Sequence, residues 1–363
     1  MFKKTLLATL VAATAATTAS AATVYDKDGN SFRVGGRVQG GFYSVAANDG
    51  DASALKGAAR LNIGGQSVIT EGVKAVAFAE WNVASSTSTD GKFETRYATV
   101  GFDTDNYGSL VVGQTDTAIY NVIAKTDVFE DFGSEANTYW TLGGRQEGQA
   151  VYQYRNGGFS FGASYQSAFD ANDANDANDA NDANDANAAN DANDANAAND
   201  ANDANDANAA RVNNGVALAL GYGFDVAENL PLDFQVGYDN YDLRGKDNNV
   251  DSYAASVSLG NLGDGFYSAF LYQFSEVDAK AFSNGYEFVV GYGFDKVSLL
   301  AGYEYLDTAA DNSNADVNKM VLHAGYQFTD NFSAFTEAEF GFTGENAPDS
   351  RNDKYTANIR YDF

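Results

Sequence analysis

Arg37, Arg60 and Arg145 each lie in a stretch that alternates apolar and polar residues, and each falls in the polar phase. Arg37 is in step with Arg33 and Gln39 against Val34 and Val38, and Arg60 with Asn62 and Gln66 against Leu61 and Ile63. Arg145 is in step with Glu147, Gln149 and Gln153, against Ala150, Tyr152 and Tyr154. Arg96 breaks the pattern, because Val100 and Phe102 share its phase. Glu80 runs with Lys74 and Asn82 against Ala77, Ala79 and Trp81, and a long connection carries Asp127, Glu130, Asp131 and Glu135. Arginines on a wall and acids on a connection that folded inward would place a transverse field across a wet passage, ordering water and sorting solutes by charge and dipole. Spacing alone fits equally well a set of separately hydrated charges.

Other chemistry is poorly provided for. The chain has one histidine and no cysteine, which nearly excludes transition-metal sites built from imidazole or thiolate. His323 is in phase with Val321 and Gly325 and out of phase with Met320, Leu322 and Ala324, as a polar wall position would be. The sequence around it displays no serine or carboxylate constellation, so no enzyme, catalytic residue or cofactor is expected. A surface adhesin or receptor barrel, or an outer-membrane hydrolase, remain as alternatives. No nucleic-acid partner is expected of a chain whose acids outnumber its bases 50 to 22.

The elements that must position these residues are strands. Sustained helical periodicity is missing, whereas alternation over about ten residues marks a strand with one wet and one apolar face. In the last segment Tyr355, Ala357, Ile359, Tyr361 and Phe363 oppose Thr356, Asn358, Arg360 and Asp362, and the same period runs through Val216 to Phe224, Tyr286 to Phe294 and Phe332 to Phe342. A soluble sandwich also alternates. Three features favour a membrane barrel instead: apolar faces that end in Tyr or Phe, opposite faces of small and acidic residues, and short turns alternating with long polar loops. Sixteen such segments, from 31–44 to 355–363 and including 145–155, predict an all-β, 16-stranded antiparallel transmembrane β-barrel. Closure pairs every backbone group without a lipid-exposed edge, and sixteen strands leave an aqueous bore.

Residues 1–21 read as a signal peptide, with Lys3 and Lys4, an apolar run from Leu6 to Ala16, and Ala19-Ser20-Ala21 before the cut. Residues 22–363 then form a single barrel domain. Export usually permits disulfides, but without cysteine stability must come from elsewhere. Two connections break the rhythm. The one from Thr115 to Gly144 has a length usually reserved for functional or disordered segments. The other, 170–210, is a low-complexity Asp-Ala-Asn insertion in an extracellular loop, too poor in large apolar residues to build a core and lacking the glycines of repeat-type calcium sites. It is read as a solvated, disordered brush.

Val24-Tyr25-Asp26-Lys27-Asp28-Gly29-Asn30 resembles the opening of the trimeric general porins of Gram-negative bacteria. Thr126-Asp127-Val128-Phe129-Glu130-Asp131-Phe132-Gly133-Ser134-Glu135 resembles their inward-folded constriction loop, with Glu130 where the pattern has Pro and Ser134 where it has Gly. Gly144-Arg145, Tyr154-Arg155-Asn156 and Arg360-Tyr361-Asp362-Phe363 are similar to later parts of those proteins, in the same order. The resemblance implies passive diffusion of ions and small hydrophilic solutes across the outer membrane, with mild cation preference. It implies a basic constriction cluster of Arg37, Arg60, Arg96 and Arg145. The acidic side would hold Glu80, Asp127, Asp131 and Glu135, with Asp131 foremost. It also implies a homotrimer in lipid and lipopolysaccharide, and an assembly signal at Tyr361 and Phe363 read by the barrel-insertion machinery.

Overall fold

The computed structural model describes residues 21–45, 52–85, 93–167, 212–243, 249–277, 280–308, 316–342 and 353–363. The expected signal peptide and the Asp-Ala-Asn insertion lie outside the described residues. In chain order the strands are β1 (Ala22–Lys27), β2 (Asn30–Val45), β3 (Ala52–Thr70), β4 (Val73–Ser85), β5 (Glu94–Thr104), β6 (Gly108–Thr115), β7 (Gln146–Asn156), β8 (Phe159–Gln166) and β9 (Val212–Ala227). They continue with β10 (Leu230–Leu243), β11 (Asn249–Asn261), β12 (Asp264–Val277), β13 (Lys280–Phe294), β14 (Val297–Thr308), β15 (Val317–Thr329), β16 (Phe332–Gly341) and β17 (Lys354–Asp362). Two short helices, α1 (Tyr120–Ile123) and α2 (Tyr139–Leu142), interrupt the connection between β6 and β7.

Each strand from β2 to β17 pairs antiparallel with its sequence neighbours, and β17 pairs back onto β2, so those strands close into a ring. The extra strand, β1, does not widen it. β3 pairs with the whole of β2 on one side; on the other, β1 takes 30–34 and β17 takes 37–45. The two ends of the chain thus share one of sixteen strand positions, joined where Phe363 N–H donates to Gly36 O at 3.0 Å and Gly36 N–H to Phe363 O at 2.9 Å. Sequence alternation located the ring but not β1, which is too short and too polar to display a phase.

Tight turns link the strands at one rim. Asp28-Gly29 and Gly157-Gly158 both have positive φ at both positions, the conformation whose twist matches a two-residue hairpin. The outward phase is apolar and exposed in Val38, Phe42, Val100, Phe102, Leu218, Leu220, Phe234, Val236, Phe270 and Phe288, which is stable only if lipid covers it. Rings gather toward both rims. Tyr326 and Phe328 sit 4.9 Å apart near the short turns, and Tyr286 with Tyr305 and Tyr238 with Tyr253, 5.0 and 5.2 Å apart, sit toward the long loops. No helix among the described residues is long and apolar enough to cross a membrane, so the strands do the crossing.

Candidate constriction site

Residues 116–145 lie inside the ring. Along this segment Ala118 N–H donates to Ser164 on β8, Asn121 to Gln153 on β7, Tyr267 on β12 to Lys125 O, Thr126 to Glu287 on β13, and the backbone near 131 to Glu337 on β16. A single segment can touch strands around the whole circumference only from within. Its first half docks by apolar burial. Ala118, Ile119, Val122 and Ile123 of the α1 region pack with Tyr139 on inward-phase Ala217, Ala219, Ala254 and Leu271. Gly237 makes room, since a Cβ there would lie 2.7 Å from Ile119 Cγ1.

The second half is held by three wall glutamates. Glu337 accepts the N–H groups of Glu130, Asp131 and Phe132 at 2.8, 2.9 and 3.1 Å. Glu304 on β14 accepts those of Ser134 and Glu135 at 2.7 and 3.1 Å. Glu287 accepts Ala136 N–H at 3.1 Å, the Asn137 amide at 2.9 Å and the Thr126 hydroxyl at 2.5 Å. All three are in the polar phase of their strands, where they could have stood as free lumen charge, but each is at most 3 % exposed and serves as an anchor. Glu339 is likewise engaged, by Lys319 and Lys354 at 2.8 Å each, and Asp233 by Lys125 at 2.9 Å. Asp239 is buried on β10. The inward phase was correct, but phase cannot reveal that the segment would cover it.

The basic side forms where β2 to β5 meet. Arg37 and Arg60 are register partners, and Glu80 faces Asn62 across β3 and β4. Glu80 Oε1 lies 2.7 Å from Arg96 Nε and 3.6 Å from Arg60 Nε. Arg96 reaches it because β5 bulges there: Glu80 pairs with Tyr97 and Trp81 with Thr95, so Arg96 is the extra residue and the phase resets around it. That resolves its discord with Val100 and Phe102, which face outward. Arg145 is not a wall-strand residue as the sequence phase implied. It precedes β7 at φ 54, donates its backbone N–H to Asp116 at 3.1 Å, and lies close enough to Arg60 and Arg96 to couple with both electrostatically.

On the acidic side the roles differ from expectation. Asp131 turns into the wall, accepting from Asn358 at 2.7 Å, Thr356 at 3.1 Å and Gln39 at 3.4 Å. Its neighbour Glu130 makes the ion pairs, 2.6 Å to Arg360 and 3.4 Å to Arg37. Glu135 pairs with Lys319 at 2.7 Å, and Asp127 accepts the Tyr120 hydroxyl at 2.7 Å. Burial pushes Asp127, Asp116 and Asp131 above the ordinary carboxylate range. Burial pushes Glu130 the same way, but Arg360 and Arg37 outweigh it and hold that carboxyl below. Glu130 was legible only as one of the acids on the long connection and Arg360 only as a member of a polar phase; nothing local shows that they meet. Ser134, at the family's Gly position, adopts φ 56, the backbone a glycine takes without strain.

The family model for Gram-negative porins matches residues 8–347. The chain belongs to that family. As a Gram-negative porin it is a β-barrel channel of the outer membrane, which accords with the closed ring, the apolar outer face and the polar interior. Porin-like protein L of Photobacterium profundum is 26 % identical over the full length of both chains. Outer membrane protein F of Serratia marcescens is 33 % identical, over 46 % of this chain and 47 % of its own. Among solved structures, Salmonella typhi OmpF in complex with daunomycin superimposes with a TM-score of 0.71 at 18 % identity, covering 94 % of this porin and all of that chain. Vibrio cholerae OmpT superimposes with a TM-score of 0.62 at 15 % identity, covering 94 % and 100 %. At those identities the structural likeness speaks to the fold.

Proposed function

We propose that ions and small hydrophilic solutes cross the outer membrane through this barrel by passive diffusion, with a mild cation preference. The selecting region is the gap between the segment 116–145 and the wall carrying Arg37, Arg60 and Arg96, with Arg145 joining that cluster from the end of the segment. What carries the reading is a charged segment pinned across the interior of a closed sixteen-position ring, opposite clustered arginines. Opposed charge in a narrow, low-dielectric passage sorts solutes without any chemical step or cofactor. Transport is tested by reconstituting the purified protein in a planar bilayer. Stepwise ohmic openings with a reversal potential displaced modestly to the cation side are expected, and a folded protein that conducts nothing would overturn the proposal.

The assembly we propose is a homotrimer exported with cleavage after Ala21, inserted by the barrel-assembly machinery and surrounded by lipid and lipopolysaccharide. Deleting Phe363 removes an outward aromatic and both backbone bonds to Gly36 that finish the β17–β2 ladder. The truncated chain is expected to reach the membrane at a small fraction of the normal yield, while the molecules that insert conduct normally. Outer-membrane fractionation checks this, and normal insertion would count against it.

Residues 170–210, with eleven aspartates, are proposed as a dispensable electrostatic brush at the extracellular mouth. Deleting them is expected to leave barrel circular dichroism and heat stability intact and to lower cation preference chiefly at low salt, because ions screen charge beyond about 8–10 Å at physiological strength. Loss of the folded barrel, or ordering of the tract by micromolar calcium, would replace the brush with a structural calcium site.

A further inference from the structure

The chain's single histidine sits between a serine and a carboxylate. His323 Nδ1 is 2.9 Å from Glu337 Oε1, and Ser298 Oγ is 3.2 Å from His323 Nε2. These side chains come from β14, β15 and β16, all in the inward phase, with His323 and Glu337 direct register partners. The sequence offered no such constellation, because the three residues meet only across two strand pairings. We propose that Ser298, His323 and Glu337 form an acyl-transfer triad that hydrolyses small esters entering the lumen.

The tautomer follows from the partners. Glu337 is fixed by three loop N–H donors, so its carboxylate accepts a hydrogen bond from Nδ1–H and leaves Nε2 to accept from the Ser298 hydroxyl. Phe335 stacks on the imidazole with centroids 5.9 Å apart and planes inclined by 19°, restricting its rotation. Gly325 leaves the space in which serine and histidine meet: a Cβ there would lie 2.9 Å from Nε2 and closer still to Oγ. Ser298 and His323 open onto a cavity of about 220 Å³ that is also lined by Lys296, Ser333, Phe335 and Arg360. Ser333 Oγ on this wall is buried and has no hydrogen-bond partner among the described residues.

In the proposed reaction Ser298 Oγ attacks the ester carbonyl carbon as its proton passes to His323 Nε2. The carbon–oxygen bond to the alcohol then breaks, and Nε2 returns the proton to the departing alkoxide. Water, deprotonated by the same nitrogen, cleaves the acyl-serine to release the carboxylic acid and regenerate the hydroxyl. Backbone N–H groups of these strands serve the barrel ladder, so donors to the oxyanion would be side chains; of those lining the cavity, Arg360 is ion-paired with Glu130 at 2.6 Å and Lys296 donates to Phe328 O at 3.1 Å. Glu337 acts as a positioning residue.

The full-length porin in detergent is treated with an alkyl fluorophosphonate, whose P–F bond is exchanged for a Ser Oγ–P bond with loss of fluoride. Hydrolysis of p-nitrophenyl acetate is followed in parallel. Peptide mapping is expected to find the adduct on Ser298, absent in Ser298→Ala. Labelling and hydrolysis should be about a hundredfold slower in His323→Gln, and reduced in Gly325→Ala, which changes none of the three residues. Single-channel conductance certifies that each variant is folded. Conducting protein that takes no adduct at Ser298, or that labels equally fast in His323→Gln, overturns the proposal while leaving the channel reading untouched.

Discussion

Glu337→Ala is expected to convert a quiet channel into a noisy one with altered unit conductance. The substitution removes the acceptor for three consecutive N–H groups, those of Glu130, Asp131 and Phe132. Hydrogen bonds to a charged group contribute about 1.5–3 kcal/mol each, and buried donors left without partners cost a similar amount. Losing three at once outweighs the nearby contacts of Asp131 with Asn358 and Thr356, so the tip of the segment should leave the wall. The strand ladders are untouched, so heat stability of the barrel should change little. Glu337→Gln is expected to behave similarly, because an amide offers one acceptor oxygen and turns a second donor toward the N–H groups. Single-channel recording with limited proteolysis between 128 and 135 reads the release directly. Wild-type conductance together with unchanged protease resistance would show that Glu304 and Glu287 hold the segment without Glu337.

The second large effect concerns the carboxylate shared by two arginines. Glu80→Gln should move the reversal potential strongly toward anions, because it leaves Arg60 and Arg96 without the group that lies 3.6 and 2.7 Å from them. The double substitution of Arg60 and Arg96 by glutamine should move it toward cations, as should neutral replacement of Arg145, and by more for the pair. Stability responds asymmetrically. Glu80 is 2 % exposed, and a buried charge stripped of its partners destabilises by about 3–5 kcal/mol, so the double variant should also melt earlier. Raising the salt should shrink the shifts in reversal potential but not the loss of stability. Of the loop acids, Glu130→Gln should shift selectivity toward anions more than Asp131→Asn, since Glu130 opposes Arg360 and Arg37 whereas Asp131 is spent on neutral wall donors. Equal shifts for that last pair would restore Asp131 to the acidic side of the passage.

The sequence by itself determined the barrel, the sixteen-position circumference, and the inward phase of Arg37, Arg60, Glu80, His323 and Glu337. A two-residue period is a local property: once one residue of a strand faces lipid, its neighbours' faces follow. Only the tertiary structure decided what those inward groups do. Arg96 joined Glu80 through a bulge that adds one residue and resets the phase. β1 and β17 share one strand position because β2 is longer than either. Glu130 rather than Asp131 met the arginines, the wall glutamates became anchors rather than free lumen charge, and Ser298 came to His323. The Glu130 and wall-glutamate contacts depend on where a connection of about thirty residues lands against distant strands, whereas the Arg96 bulge, the shared strand position and the meeting of Ser298 with His323 depend on register between strands, and alternation within one strand carries no information about either.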